Sequence, residues 1–364
     1  MSRIRVLIVD DSVVARRIVR TMLEADPEIE VVGTASNGRL ALERIDQLNP
    51  DLVTLDVEMP VMSGLEALEE IRRRNPALPV VMVSSQTEAG ASSTVEALSK
   101  GASDYVHKPS CMSRLDSRVD NEMQGSLIPK IKALCTKAHA TPVAEPRVSR
   151  KKIVSKSVSR IDMLAIGVST GGPAALATLM PMLPKNLSVP IVIVQHMPPT
   201  FTRQLAERLD SLSELTVKEG TNGTRLEAGV AWIAPGDFHM VVEPSKGSLR
   251  LRIHQEAREN SCRPAVDTLF RSVAEHCGPH SLAIVLTGMG HDGLRGCEAI
   301  HEGGGRVVVQ DEASSVVWGM PGIVANSDLA DAVLPLDRIA AEITRLIPCT
   351  SPLQAPASVH SRED

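Results

Sequence analysis

Short apolar runs alternate with amphipathic helical stretches along this chain, in two blocks separated by a polar, basic stretch. In the first block strands are expected at Ile4–Val9, Ile29–Thr34, Leu52–Leu55, Val80–Val83 and Tyr105–Val106. Helices are expected between them near 13–25, 38–48, 64–74 and 92–100, each bounded by Asn, Gly or Pro signals. The second block repeats the pattern, with strands at 163–168, 189–194, 230–234, 240–243, 248–253, 282–287 and 306–309. Its helices are expected near 173–183, 200–211, 264–277, 292–302 and 337–347. Strand–helix alternation with short connections implies a mainly parallel sheet with helices on both faces, because a parallel pair needs a crossover that buries its own apolar stripe. The turns Pro235-Gly236-Asp237 and Ser245-Lys246-Gly247-Ser248 mark 230–253 as a hairpin insertion with antiparallel character. The fold class is α/β, with two doubly wound units.

The expected division is 1–122 for the first domain, 123–160 for a linker, 161–350 for the second domain and 351–364 for a disordered tail. Leu115, Val119, Met123, Leu127, Ile131 and Leu134 form a helical stripe interrupted by Gly125 and Pro129. From Lys137 to Arg160, seven Lys/Arg face one acid, Glu145, and Pro142 and Pro146 point to an exposed spacer. From Ile161 to Thr350 the acids outnumber the bases by 21 to 15, against a nucleic-acid-binding output domain, and the net charge is −5. One Tyr, two Trp and three Phe leave no base-stacking platform. No apolar run reaches a membrane span, no apolar segment follows the basic N-terminus, and the six cysteines show no C-x-x-C spacing. These features lead to the expectation of a cytoplasmic protein with no membrane insertion.

In the first domain the polar residues gather at strand ends: Asp10 and Asp11, Asp56, Ser84 and Lys108. Parallel strands would bring them to one edge of the sheet. Three carboxylates there repel unless a cation joins them, and an all-oxygen set suits Mg²⁺. Lysine and a hydroxyl beside them could hold a phosphoryl group.

In the second domain Gly167-Val168-Ser169-Thr170-Gly171-Gly172-Pro173 joins an apolar strand to a helix, and Gly167 to Gly171 fits G-x-S-x-G. Ser169 would sit beside a helix N-terminus, whose free N–H groups stabilise an anion. Gln195-His196-Met197-Pro198 ends a second strand, and Thr287-Gly-Met-Gly-His291-Asp292-Gly293 ends a third. A serine, a histidine and an aspartate thus stand past strand carboxyl ends, where an open α/β sheet places its chemistry. Their chain order, Ser-His-Asp, differs from the Ser-Asp-His of the α/β-hydrolases.

The first block resembles a response-regulator receiver domain, on Val9-Asp10-Asp11-Ser12, Leu55-Asp56-Val57-Glu58-Met59-Pro60, Val83-Ser84-Ser85 and Tyr105-Val106-His107-Lys108-Pro109. The resemblance implies a flavodoxin-like fold with Asp56 as phosphoacceptor and with Mg²⁺ held by Asp10, Asp11 and Asp56. It further implies phosphoryl contacts from Ser84 and Lys108, and Tyr105 as the aromatic switch. The second block resembles the catalytic domain of the chemotaxis protein-glutamate methylesterases, on Ile166-Gly-Val-Ser169-Thr-Gly-Gly-Pro, Gln195-His196-Met-Pro-Pro, Ala234-Pro235-Gly236, Arg263-Pro-Ala-Val-Asp267 and the 287–293 stretch. That resemblance implies catalysis by Ser169, His196 and Asp292 without a cofactor, with an oxyanion held by backbone N–H groups at Thr170 and Met289. His291 is given no role. The implied partners are a methyl-accepting chemoreceptor as substrate, through its glutamyl methyl esters and glutamines, and a histidine kinase as phosphodonor. Two other readings compete: a response regulator whose second domain only binds a partner, and a transcription factor. Methanol release separates the first from the esterase, and salt-dependent DNA binding would mark the second.

Overall fold

The computed structural model describes residues 3–85, 87–108, 117–136 and 160–349. The basic spacer up to residue 159 and the tail expected from the sequence lie outside the described residues. The N-terminal domain is a five-stranded sheet built from β1 (Ile4–Val9), β2 (Ile29–Ala35), β3 (Leu52–Asp56), β4 (Val80–Ser84) and β5 (Asp104–His107), in the order β2-β1-β3-β4-β5. Every pair is parallel, so all strand carboxyl ends share one edge. Its helices are α1 (Val13–Glu24), α2 (Gly38–Leu48), α3 (Gly64–Arg74), α4 (Glu88–Ser99) and α5 (Ser117–Thr136). Local chemistry sets their starts. The Ser12 and Asn37 side chains accept N–H groups of the first turns of α1 and α2, and Ser63 with Glu66 forms a reciprocal capping box on α3.

α5 follows the helical stripe read from the sequence and runs through 122, the expected end of the first domain. Met123, Leu127, Ile131 and Leu134 are buried in one cluster with Val6, Ile8 and Val19. That burial carries the helix across Gly125 and Pro129, which the residue pattern marks as interruptions.

The C-terminal domain has a seven-stranded sheet in the order β14-β13-β12-β6-β7-β9-β8. Its strands are β6 (Met163–Val168), β7 (Ile191–Gln195), β8 (Thr216–Glu219), β9 (Val230–Ile233), β12 (Ser281–Val285), β13 (Arg306–Gln310) and β14 (Ala332–Leu334). All its pairings are parallel. The central β6, β7 and β12 are buried at every residue, with helices on both faces. The hairpin is confined to β10 (His239–Ser245) and β11 (Ser248–His254), an antiparallel pair apart from the main sheet, whereas β9 joins that sheet. The helices are α6 (Gly172–Leu179), α7 (Pro199–Leu212), α8 (Val266–Cys277), α9 (Leu294–Glu302), α10 (Met320–Asn326) and α11 (Leu336–Leu346). Among the described residues no helix is long and apolar enough to cross a membrane.

The chain leaves β6 toward β7 on one side of the sheet, while β12 lies on β6's other side. This reversal of strand order opens a crevice at the carboxyl ends of β12, β6 and β7. The N-terminal domain sits against that end. Tyr105 of β5 stacks on Phe201 of α7 with ring centroids 4.9 Å apart, His107 meets Phe201 edge-on at 4.7 Å, and Glu88 pairs with Arg203.

Candidate active site

Ser169, His196 and Asp292 follow β6, β7 and β12, the three neighbouring strands at the crevice. The serine loop is held by its backbone. Ser169 N–H donates to Thr287 O at 3.0 Å, and Gln195 Nε2 donates to Ser169 O at 3.0 Å. Gly171 has φ of 77°, a left-handed conformation that turns the chain into α6. The loop after β12 lies against the serine: a Cβ added to Gly288 would stand 2.9 Å from Ser169 Cβ. Among the described residues no backbone carbonyl takes the N–H of Thr170 or of Met289.

Asp292 is the most firmly held group in the site. Its Oδ2 accepts from Val266 N–H at 2.7 Å and meets His196 Nε2 at 2.8 Å. Its Oδ1 accepts from Asp267 N–H at 3.0 Å, from Asn260 Nδ2 at 2.9 Å and from Gly293 N–H at 3.1 Å. Burial opposes its charge, but His196 and these N–H donors prevail and bring the carboxyl down to about 2. The imidazole shifts the other way. Burial alone would lower it, yet the hydrogen bonds it makes to Asp292 and Cys262 outweigh burial and raise it.

Several partners in this network have no spacing signal in the sequence. Asn260 Nδ2 bridges Asp292 Oδ1 and Asp267 Oδ2 at 2.9 Å each. Asp267 in turn accepts the Gly293 and Gly296 N–H groups at 2.9 and 2.8 Å, capping α9 just past Asp292. Cys262 Sγ lies 3.7 Å from His196 Nδ1, so this imidazole nitrogen faces a thiol in the present state. The Ser169 hydroxyl makes no hydrogen bond to His196 among the described residues, and contacts of this kind often tighten only around substrate. His291 is exposed. A cavity of about 550 Å³ opens over His196 and Cys262; Tyr105, His107, Ser126 and Lys130 of the N-terminal domain line its other wall.

The second cluster stands at the carboxyl edge of the N-terminal sheet. Lys108 Nζ lies 2.6 Å from Asp56 Oδ2 and 2.8 Å from Asp10 Oδ2. Oxygens of Asp10, Asp11 and Asp56 lie within 4.8 Å of one another, a hard all-oxygen set. Burial, with Asp10 and Asp11 adding to it against Lys108, pushes Asp56 up to about 6. A cavity of about 240 Å³ reaches Asp56, Ser84 and Lys108. Ser84 Oγ here donates to Gly90 O at 3.0 Å, away from the carboxylates. Tyr105 is buried at the contact between the domains.

Both domains match known families. Residues 164–343 match the family described as CheB methylesterase, and residues 6–120 match the response regulator receiver domain. The chain is 48% identical over 352 residues to a protein-glutamate methylesterase/protein-glutamine glutaminase of Trichodesmium erythraeum, covering 95% of this chain and 100% of the relative. It is 47% identical to the protein of the same name from Nocardioides, over 99% of this chain and all of the relative. The crystal structure of the Thermotoga maritima CheB methylesterase catalytic domain superposes with a TM-score of 0.51 at 43% identity, covering 52% of this chain and 100% of that one.

Proposed function

The chain belongs to the protein-glutamate methylesterase/protein-glutamine glutaminase family, and from that premise we propose that it hydrolyses glutamyl γ-methyl esters of a chemoreceptor through Ser169, His196 and Asp292. The observation that supports this reading is His196 held on Asp292 at 2.8 Å, with Ser169 past the end of the strand between theirs. His196 takes the Ser169 proton as the oxygen attacks the ester carbonyl. Asp292 orients the imidazole and stabilises its cation. The N–H groups of Thr170 and Met289 hold the oxyanion, a role supported by their lack of a backbone acceptor. Methanol leaves with the proton from His196, and water then clears the acyl-enzyme by the same route in reverse. The same groups release ammonia from receptor glutamines, the harder substrate.

This chemistry fixes a pH dependence. His196 acts as a base only when neutral, and its folded-state pKa is raised above the ordinary ~6.5. The rate of ester hydrolysis should therefore fall as pH drops through the raised value. A rate unchanged between about pH 8 and pH 5 would contradict the assignment.

The receiver supplies control. Asp56 takes a phosphoryl group from a histidine kinase, and Lys108 offsets the added charge. Asp10, Asp11 and Asp56 would hold Mg²⁺, which supplies charge neutralisation around the phosphoryl oxygens. Ser84 would turn from Gly90 toward the phosphoryl group, and Tyr105 would follow, leaving Phe201 and loosening the wall over the cleft. The acting compartment on this reading is the cytoplasm, where kinase and receptor tails meet. Deleting residues 1 to about 150 should raise basal ester hydrolysis by up to ten- to a hundredfold, an interdomain bias of about 1.4–2.8 kcal/mol. Asp56→Asn should abolish stimulation by acetyl phosphate with Mg²⁺. An isolated C-terminal domain no faster than the resting full chain would show that the receiver acts by activation or recruitment, not occlusion.

A further inference from the structure

The imidazole that serves Ser169 also belongs to a second constellation. His196, Cys262 and Asp292 each offer a ligand atom, and these atoms lie within 4.8 Å of one another. They come from three separate segments: the end of β7, the 260–263 turn and the loop after β12. Unlike the oxygen-only cluster around Asp56, this one combines thiol, imidazole and carboxylate, the donor set of a borderline-soft divalent ion. A tetrahedral zinc ion with Zn–S of about 2.3 Å and Zn–N of about 2.0–2.1 Å holds sulfur and nitrogen about 3.5 Å apart. Cys262 Sγ and His196 Nδ1 already stand 3.7 Å apart.

We propose that His196, Cys262 and Asp292 form a Zn²⁺ site whose occupancy shuts off the Ser169 chemistry. Asp292 now holds the other ring nitrogen, so closing the triangle requires the imidazole to turn about its Cβ–Cγ bond and the donors to draw in by about 1 Å. The carboxylate has the outer support that metal ligands usually have, from the N–H groups of Val266 and Asp267 and the Asn260 amide. The fourth position faces the cavity of about 550 Å³ that both His196 and Cys262 line, so water or a substrate oxygen can complete the shell. Binding releases the thiol proton and the proton of the imidazolium to solvent and changes no oxidation state. A ring nitrogen bound to zinc has no lone pair for the Ser169 proton, so acyl transfer stops. Mg²⁺ has little affinity for a thiolate, so saturating Mg²⁺ occupies the carboxylate cluster and leaves this one to Zn²⁺.

The inhibitory half of this proposal rests on the esterase reading, whereas the binding half does not. The test is a calorimetric titration of Zn²⁺ into the full chain under saturating Mg²⁺, with far-UV circular dichroism as the check on folding. The variants are Ser169→Ala, Cys262→Ser, Cys262→Ala and, because Cys349 is an exposed thiol, Cys349→Ser. Wild type, Ser169→Ala and Cys349→Ser should bind one ion with similar affinity, and both Cys262 variants should bind it at least tenfold more weakly. In the two Cys262 variants the Zn²⁺ concentration that halves ester hydrolysis, relative to each one's own metal-free rate, should rise by the same factor. Wild-type affinity in folded Cys262 variants overturns the site, as does binding that disappears with Cys349 alone. If Zn²⁺ binds through Cys262 but no ester hydrolysis is found in metal-free protein, the site stands and the esterase reading fails.

Discussion

Ser169→Ala should lower methyl-ester hydrolysis by about three or more orders of magnitude while leaving the fold intact. The serine loop is held by Ser169 N–H on Thr287 O and by Ser169 O on Gln195 Nε2, and none of these atoms belongs to the side chain. Removal of the hydroxyl therefore removes the nucleophile and little else. The measurement is methanol release alongside a thermal melt of the same preparation. Retention of more than about a tenth of the rate, worth about 1.4 kcal/mol of barrier, would exclude Ser169 as the nucleophile.

Asp292→Asn should cost about as much in rate and, unlike the serine change, should also cost stability. An amide in place of the carboxylate can no longer hold the imidazolium, and it favours the wrong tautomer at His196, with a loss of about 10⁴ in rate expected. The carboxylate also accepts three backbone N–H groups, from Val266, Asp267 and Gly293, and the Asn260 amide. An amide has one acceptor oxygen, so at least one of these buried donors loses its partner, at a cost of roughly 1–3 kcal/mol. Rate and melting temperature should fall together. A variant within tenfold of wild type in rate would remove Asp292 from the mechanism.

Much of this architecture can be read from the chain because parallel strands buried on both faces leave continuous apolar runs. β1, β6 and β7 stand close to where those runs lie, and of the residues past strand ends the folded chain brings His196 to Asp292, and Asp10 and Asp11 to Asp56. Weak periodic signals mark what was missed. β8 and β14 are edge strands of four and three residues with exposed positions, too short and too polar to stand out. α10 carries a proline and a glycine in its seven residues. α4 begins at Glu88, capped by Thr87, earlier than its apolar positions suggest. The supporting shell of the site was the least legible part. Asn260 and Ser261 have φ of 50° and 64°, and this left-handed turn carries Asn260 to Asp292 and sets Cys262 beside His196. No spacing rule announces such a turn. Asp267 stands in the Arg263-Pro-Ala-Val-Asp267 stretch, but its role as the cap of α9 depends on a helix that begins 27 residues later.

Methanol release from a methylated chemoreceptor fragment tests whether the chain is a phosphorylation-controlled esterase. The full chain should release methanol from that fragment, faster when acetyl phosphate and Mg²⁺ are present, and the Asp56→Asn variant should show no such acceleration. A full chain that binds the fragment but releases no methanol, phosphorylated or not, would contradict the account and leave a response regulator whose second domain only binds its partner.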